Sequence, residues 1–552
     1  MPQPHRPLLR TLYSSRKSLI FRDHERIASS IFVRPCSCTA ALSKDPNTPP
    51  AKPTTGDPPK PPADHRELGA RQGLYTTSLY SPGSPLLLPN GADMFIKLSN
   101  LLRSLYPQYG FREVITPNIY KKSLWERSGH WDNYADDMFE VKGRGSSGAK
   151  QGGEIGEDEE FGLKPMNCPG HCLLFASEKR SYRDLPIRFA DFSSLHRNEI
   201  SGALSGLTRV RRFHQDDGHI FCRANQIESE IKKTMEFIQQ IYGTIFNLGS
   251  FRLVLSTRPE DKYIGSLEEW EFAETQLKSA LNATGQDWTL NEGDGAFYGP
   301  KIDIILKDSD GKEHQTATVQ LDFQLPQRFG LTYTSPQLKE EQKGELEDPV
   351  TGMGAGTLWK DSGAEIVHRD SKSETKTPVI IHRAILGSLE RFLALMIEHY
   401  NGCYPFWISP RPAIILAIES QESVLNYVDE VRQRITHYQQ TSSDTDISEN
   451  FGFPLTKFSN NLHVDVDVSK KSIGKKVQAA KERGYNFIIV IGSKEAKTQT
   501  VSMEMHKQHD RFGAWRLLQH AGIVEQGQRP GVFSLSLDKL EWFVRKMVVH
   551  YR

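Results

Sequence analysis

The apolar positions of this chain change their spacing along its length, and those changes predict its elements. From Ile227 onward, Ile231, Met235, Ile238, Tyr242 and Ile245 recur three or four residues apart, and Trp270, Ala273, Leu277 and Leu281 do the same. Such spacing puts each set on one helical face, so two core-facing helices are predicted. The period then falls to two. Ile302 to Leu306 reads as a buried strand, and Thr316 to Phe323 alternates, sending Val319, Leu321 and Phe323 one way and Thr318 and Gln320 the other. On that alternation Gln315 falls off the Thr318/Gln320 face unless the strand bulges. Helices packed around an antiparallel sheet, an α+β body over residues 66–403, follow from this pattern.

Beyond Tyr404 the pattern changes. Ala413 to Ile418, His463 to Val468 and Asn486 to Ile491 are short apolar strands, separated by helical stretches at Val424 to Ile435 and Ile473 to Arg483. Strand and helix in alternation predict a separate, smaller α/β domain over residues 404–552. At the other end, Arg6, Arg10, Arg16, Lys17, Arg22, Arg26 and Arg34 outnumber Asp23 and Glu25, and a Pro/Thr/Lys stretch runs from Asn47 to Pro62. Residues 1–65 therefore read as a mitochondrial transit peptide and linker, with a disordered basic tail as the alternative. Gly-rich then acidic 142–160, and polar 339–377, read as poorly ordered insertions.

Composition refines this only slightly. At 552 residues the chain exceeds one core, which suits two or three domains. A formal net charge of +1 gives no global field to attract nucleic acid, so any RNA contact would use local basic patches. The six cysteines show no disulfide framework, which favours a reducing compartment. No apolar run approaches the roughly 18 residues of a membrane span, so a soluble protein is expected.

Candidate chemistry concentrates in Phe192 to His219, FSSLHRNEISGALSGLTRVRRFHQDDGH. Arg197 and Glu199 lead into a loop with Gly202 and Gly206, and the return carries Arg209, Arg211, Arg212, Phe213, Gln215, Asp217 and His219. Two strands joined by a mobile loop fit. An arginine fork matches phosphate oxygens bidentately, and Phe213 offers a face on which a purine can stack. The alternative is a surface hairpin of solvated arginines.

This segment resembles motif 2 of class II aminoacyl-tRNA synthetases, and its wording is similar to that of threonyl-tRNA synthetases. Four further segments resemble the same family in the same order: YGFREVITPNIY at Tyr109–Tyr120 (motif 1), MNCPGH at Met166–His171, YGPKID at Tyr298–Asp303 and HRAILGSLER at His382–Arg391. The likeness runs from about Leu68 to the C-terminus. It implies a catalytic domain of the class II type followed by an anticodon-binding domain. Ser469, in DVSKKSIG, stands where the family commonly has arginine, which leaves the anticodon contacts open.

The resemblance also assigns residues. Cys168, His219 and His382 occupy the family's zinc-ligand positions, with Cys172 and His171 as local competitors for Cys168. One thiolate and two imidazoles suit Zn²⁺ with open positions, which could take the amino group and hydroxyl of threonine. Asp217 is implied to accept the threonine hydroxyl, and Gln215, Tyr298, Gln320 and Ser388 to line the amino-acid pocket. For ATP and its Mg²⁺, Arg197 is implied at the α-phosphate, Arg209 at the γ-phosphate, and Glu199 at the adenine amino group or the metal; Gln315 and Thr318 are further ATP contacts. Arg391 is implied to lie across the adenine from Phe213 and reach the γ-phosphate, Lys301 to contact the adenylate phosphate, and His130 to assist transfer to tRNA, with a structural histidine on a loop as the alternative for His130.

The expectation is thus a threonine–tRNA ligase acting on L-threonine, ATP and tRNA(Thr) in the mitochondrial matrix, as a homodimer formed through the motif 1 region with Pro117. Because only about 65 mostly disordered residues precede the catalytic body, no N-terminal editing domain is expected, and some serine mischarging follows. The alternatives are a seryl- or prolyl-tRNA synthetase, disfavoured by the zinc trio, and a non-catalytic regulatory or RNA-binding relative, disfavoured by the presence of Arg197 and Arg391.

Overall fold

The computed structural model describes residues 63–552 apart from 143–159, 249–250, 262, 308–310, 336–373, 439–457, 460–461 and 526–530. The predicted leader over 1–62 and most of the two insertions lie outside the described residues. Of the second insertion, Glu374–Lys376 is a strand paired with Tyr333–Ser335.

The first helix, α1 (His65–Gln72), is capped by Asp64 and closed by Gly73 in the left-handed region. Its first residue, set in the leader by the sequence reading, is buried and bonded into the body. Helix α2 (Pro89–Leu105) follows. The body is then built on a nine-stranded sheet: β1 (Arg112–Glu113), β2 (Ile187–Asp191), β3 (Ser194–His196), β4 (Arg212–Cys222), β5 (Arg252–Ser256), β6 (Trp288–Asn291), β7 (Lys301–Lys307), β8 (Glu313–Asp322) and β9 (Val379–Ser388). Their order is β6-β5-β7-β8-β9-β4-β2-β1, with β3 pairing β4. All pairs are antiparallel except the two outermost, β5 with β6 and β1 with β2.

Alternation along these strands gives the sheet two different faces. Ile302, Ile304, Val319, Leu321, Ile381 and Ile385 share one core with helices α3 (Ile227–Gln239), α4 (Leu267–Thr284) and α5 (Leu389–His399). Their neighbours in sequence, among them Lys301, Asp303, Thr318, Gln320 and His382, therefore point to the opposite face. The long helix predicted from Ile227 to Ile245 is α-helical only to Gln239 and continues as a π-helix through Ile245. That turn keeps Tyr242 buried, with its hydroxyl donating to Ile385 O at 2.8 Å.

The C-terminal body contains β10 (Ala413–Ala417), α6 (Glu422–Thr436), β11 (Val464–Asp467), α7 (Ile473–Arg483) and β12 (Phe487–Ile491), close to the predicted bounds. β11, β10 and β12 are parallel, as α/β alternation requires, and two antiparallel strands the sequence reading lacked, Thr500–Met505 and Val532–Ser536, extend the sheet. The switch between bodies falls slightly later than 404, since Tyr404, Trp407 and Ile408 pack in the first core. No helix among the described residues is long and apolar enough to cross a membrane.

Candidate active site

His219 and His382 are register partners on β4 and β9, so their side chains leave the same face of the sheet side by side. Cys168 reaches them from the first residue of the helix Cys168–Ala176. The three potential ligand atoms lie within 4.8 Å of one another, and all three residues are buried. His219 Nε2 and His382 Nδ1 are 2.9 Å apart. Each ring's other nitrogen has its own partner: His382 Nε2 is 2.8 Å from Asp322 Oδ2, and His219 Nδ1 is 2.7 Å from His171 Nδ1. With the ring protons on His382 Nε2 and His219 Nδ1, His382 Nδ1 and His219 Nε2 are free to ligate, the usual outer-sphere arrangement of a zinc histidine. Burial, with Asp217 adding to it, pushes the Cys168 thiol well above its ordinary pKa, so a cation is what would hold a thiolate here. The donor set fits Zn²⁺. Of the two competitors, His171 stands behind His219, and it is the Cys168 sulfur, not that of Cys172, that joins the two histidines in the converging group.

Around the trio, Asp217 is buried, accepts from Asn167 Nδ2 at 3.1 Å, and has its carboxyl pKa raised by burial against the opposing pull of His171 and His382. The Tyr298 ring stacks on His382 at 5.0 Å, and its hydroxyl donates to Gln320 Oε1. Gln215 faces Ser388 across the ladder, with a bulge between Gln215 and Asp217. Ser388, however, caps α5: its hydroxyl accepts from Arg391 N at 3.3 Å. It thereby starts the helix that carries Arg391 while standing opposite Gln215.

Across the sheet the guanidiniums converge. Arg391 donates from Nε to Thr208 O at 3.0 Å and from Nη1 to Gln315 O at 3.2 Å. Burial, then Arg197 and Arg209, depress its pKa. Arg197 lies 5.1 Å from the Phe213 ring and 5.8 Å from that of Tyr134, and its buried Nε has no partner. Arg197 thus stands as a cation beside the Phe213 ring. Arg209 pairs with Glu199 at 2.8 Å. Mutually repelling, partly desolvated arginines are stabilised by a polyanion, and a triphosphate supplies one.

The bulge that Gln315 needed is present. Ile304 pairs with Ala317 but Ile305 with Gln315, which skips Thr316 and brings Gln315 onto the Thr318 face. Gln315 Nε2 and Thr318 Oγ1 both donate to Asp303 Oδ1. Lys301 Nζ is 3.0 Å from Asp303 and 3.2 Å from Asp294. Burial opposes the lysine's charge, but the two carboxylates outweigh it and hold its pKa above the usual value. Asp303 is thereby the common anchor of three expected ligand contacts, and sequence reasoning missed it. Asp322, Asn167 and Tyr134 were missed as well; the run QLDF after Thr318 carried the only signal for Asp322.

His130 was expected to assist proton movement in the transfer to tRNA, with a structural histidine on a loop as the alternative. It opens the short helix His130–Tyr134, fully buried, with Nδ1 2.8 Å from Ser128 Oγ and Nε2 3.3 Å from Met166 Sδ and 3.8 Å from Cys168 Sγ. Burial, and secondarily His382, lower its pKa to about 3. Such an imidazole stays neutral near physiological pH and is placed to hold the thiol segment.

An antiparallel sheet presenting this arginine hairpin, beside a capped helix that returns Arg391 to it, defines a class II aminoacyl-tRNA synthetase; residues 153–355 match the tRNA synthetase class II core domain (G, H, P, S and T), and 413–511 match the anticodon binding domain. Within that class the chain belongs to the threonine–tRNA ligase family. It is 46% identical to the probable mitochondrial threonine–tRNA ligase of Schizosaccharomyces pombe, over 81% of this chain and 85% of that one. It is 44% identical to the cytoplasmic ligase of Saccharomyces cerevisiae over 80% of this chain, but spans only 50% of that relative. Among solved structures, a threonyl-tRNA synthetase fragment from Cryptosporidium parvum described as the RNA binding domain superposes with a TM-score of 0.67 at 40% identity, covering 88% of this chain and 98% of that one. A putative threonyl-tRNA synthetase from Aeropyrum pernix gives 0.61 at 25% identity, covering 89% and 96%. As a class II synthetase, the protein works on ATP with Mg²⁺, an amino acid and tRNA.

Proposed function

We propose that this chain activates L-threonine with ATP and transfers it to tRNA(Thr) in the mitochondrial matrix, using a zinc ion held by Cys168, His219 and His382. The observation that carries the reading is the convergence of those three buried side chains on the sheet face that also bears Lys301, Gln320 and Asp217. When bound, zinc would offer coordination to an amino acid bearing both an amine and a hydroxyl. Asp217, kept in place by Asn167, accepts a hydrogen bond from that hydroxyl, and Tyr298 closes the pocket over His382. The threonine carboxylate then attacks the α-phosphorus in line, forming threonyl-adenylate as pyrophosphate leaves. Arg197, Lys301, Arg209 and Arg391 position the polyphosphate and offset charge on its oxygens, which is most of what phosphoryl chemistry requires.

Mitochondrial residence is supported by the arginine-rich leader and by the mitochondrial ligases of S. pombe and Arabidopsis thaliana among the relatives, although cytoplasmic ligases are similar to the same degree. A homodimer is supported by the exposed Ile115 (89%) and Ile119 (46%) within the motif 1 segment, since an apolar set there is better covered than wet. The test is ATP–pyrophosphate exchange with threonine, serine, valine and proline, run beside elemental zinc analysis. Threonine-dependent exchange with about one zinc per chain is expected; full activity without metal would overturn the zinc reading.

A further inference from the structure

His65, which opens α1, lies far from the reacting groups in sequence yet touches the loop that clamps ATP. Its ring is 4% exposed. Nδ1 is 2.7 Å from Glu398 Oε1, and Nε2 accepts the backbone N–H of Leu207 at 3.1 Å. Because Nε2 is an acceptor, the ring proton sits on Nδ1 and is donated to Glu398. With both ring nitrogens committed, His65 serves as a tether between Glu398 and Leu207 and has no imidazole lone pair to offer a metal ion. Gly206, at φ 48°, packs directly on this ring: a Cβ there would fall 2.1 Å from His65 Nε2.

We propose that His65 is a positioning residue for ATP, which pins the arginine loop to helix α5 while Arg391 is drawn onto the nucleotide. Two consecutive residues of the loop are held from α5. Thr208 O is held by Arg391 Nε, and the Leu207 N–H by His65, which is itself anchored by Glu398 two turns along the same helix. Arg391 must reorganise its donors when a triphosphate arrives, so its grip on Thr208 is conditional. The His65 contact involves no group that ATP would recruit, and keeps the loop, with Arg209, in register with α5. The inference rests on reading this loop as an ATP clamp.

The experiment compares full-length wild type with His65→Gln, His65→Asn and Gly206→Ala. Glutamine can place an oxygen acceptor where Nε2 stands and so retain the Leu207 bond. Asparagine reproduces only the Nδ1 side, and alanine at 206 displaces the ring. Loss of one buried hydrogen bond predicts about a five- to tenfold rise in KM for ATP in the exchange assay for H65N and G206A, with KM for threonine within about twofold of wild type. H65Q should stay near wild type. Hydrogen exchange across residues 200–209 should quicken in H65N and G206A and not in H65Q. An unchanged KM for ATP in H65N, or equal rises for ATP and threonine that H65Q fails to rescue, would overturn the proposal. Absence of threonine-dependent exchange in wild type would instead sink the ATP-clamp reading, and the hydrogen-exchange contrast between H65N and H65Q would still decide the tether.

Discussion

His219 Nε2 faces His382 Nδ1 at 2.9 Å across one rung of the central sheet, each ring held from behind by a further buried group, His171 in one case and Asp322 in the other. Two lone pairs so placed repel unless a proton or a metal ion lies between them. Adding the Cys168 sulfur makes the ion the more complete answer. Cys168→Ala is therefore expected to lose most bound zinc and to cut threonine-dependent exchange by about 100-fold. Asp322→Asn should weaken metal affinity by about 10 to 100-fold by releasing the His382 ring. Metal titration with a competing chelator reads both, and retained stoichiometric zinc in Cys168→Ala would end the assignment.

Arg391→Lys keeps the charge but not the fork that spans Thr208 O and Gln315 O. Adenylate formation in a single-turnover experiment is expected to slow by about 10² to 10³-fold, the usual cost of one lost charge-stabilising donor. A fall below tenfold would show that Arg391 contributes only to the loop.

Amino-acid choice follows from which groups the pocket can satisfy. Valine has no hydroxyl for Asp217 or for zinc, and is expected to react about 10⁴-fold less efficiently than threonine. Serine lacks only a methyl, so a penalty of about 10 to 200-fold is expected. Valine activation within 100-fold of threonine would mean that the hydroxyl is not read.

The burial of His130 has a consequence for acid stability. Its folded pKa of about 3 lies below the ordinary histidine value, so between those two pH values the unfolded chain binds the extra proton. Stability is full above about pH 6.5 and declines as pH falls, by about 1.4 kcal/mol per unit from this group. Chemical denaturation of chelator-treated wild type and His130→Asn between pH 7 and pH 5 should show the variant losing less; parallel losses would place the ionisation elsewhere. In the active enzyme, the same substitution should lower zinc retention along with transfer.

Ile115→Asp puts a charge on the exposed apolar set near motif 1. Sedimentation equilibrium is expected to show a dimer for wild type and a monomer for the variant. An unchanged dimer would move the interface off this surface.

Much of this was legible because local chemistry repeats along the chain. Period two in Thr316 to Phe323 fixed which face Thr318 and Gln320 occupy, and the β/α alternation beyond residue 413 gave the second body. What resisted reading was set by tertiary context. Gln315 depends on a skipped residue opposite Ile304 and Ile305, and Gly387, at φ 68°, allows the neighbouring strand to approach, since a Cβ there would meet Thr316 O at 2.0 Å. His65 looked like linker because nothing near it in sequence shows that Leu207 and Glu398 will enclose it. The sequence left His130 open between a transfer role and a structural one because burial of a histidine leaves no periodic trace in five residues of helix.

The metal-binding trio draws on a helix start and two adjacent central strands, and the last of its members sits on β9, after both insertions have been passed. A growing or partly imported polypeptide that stops short of β9 cannot complete the cage, whatever else has folded. On the proposed zinc reading, ion capture would be a late step in maturation, one that requires β4 and β9 to be paired beside the helix that carries Cys168.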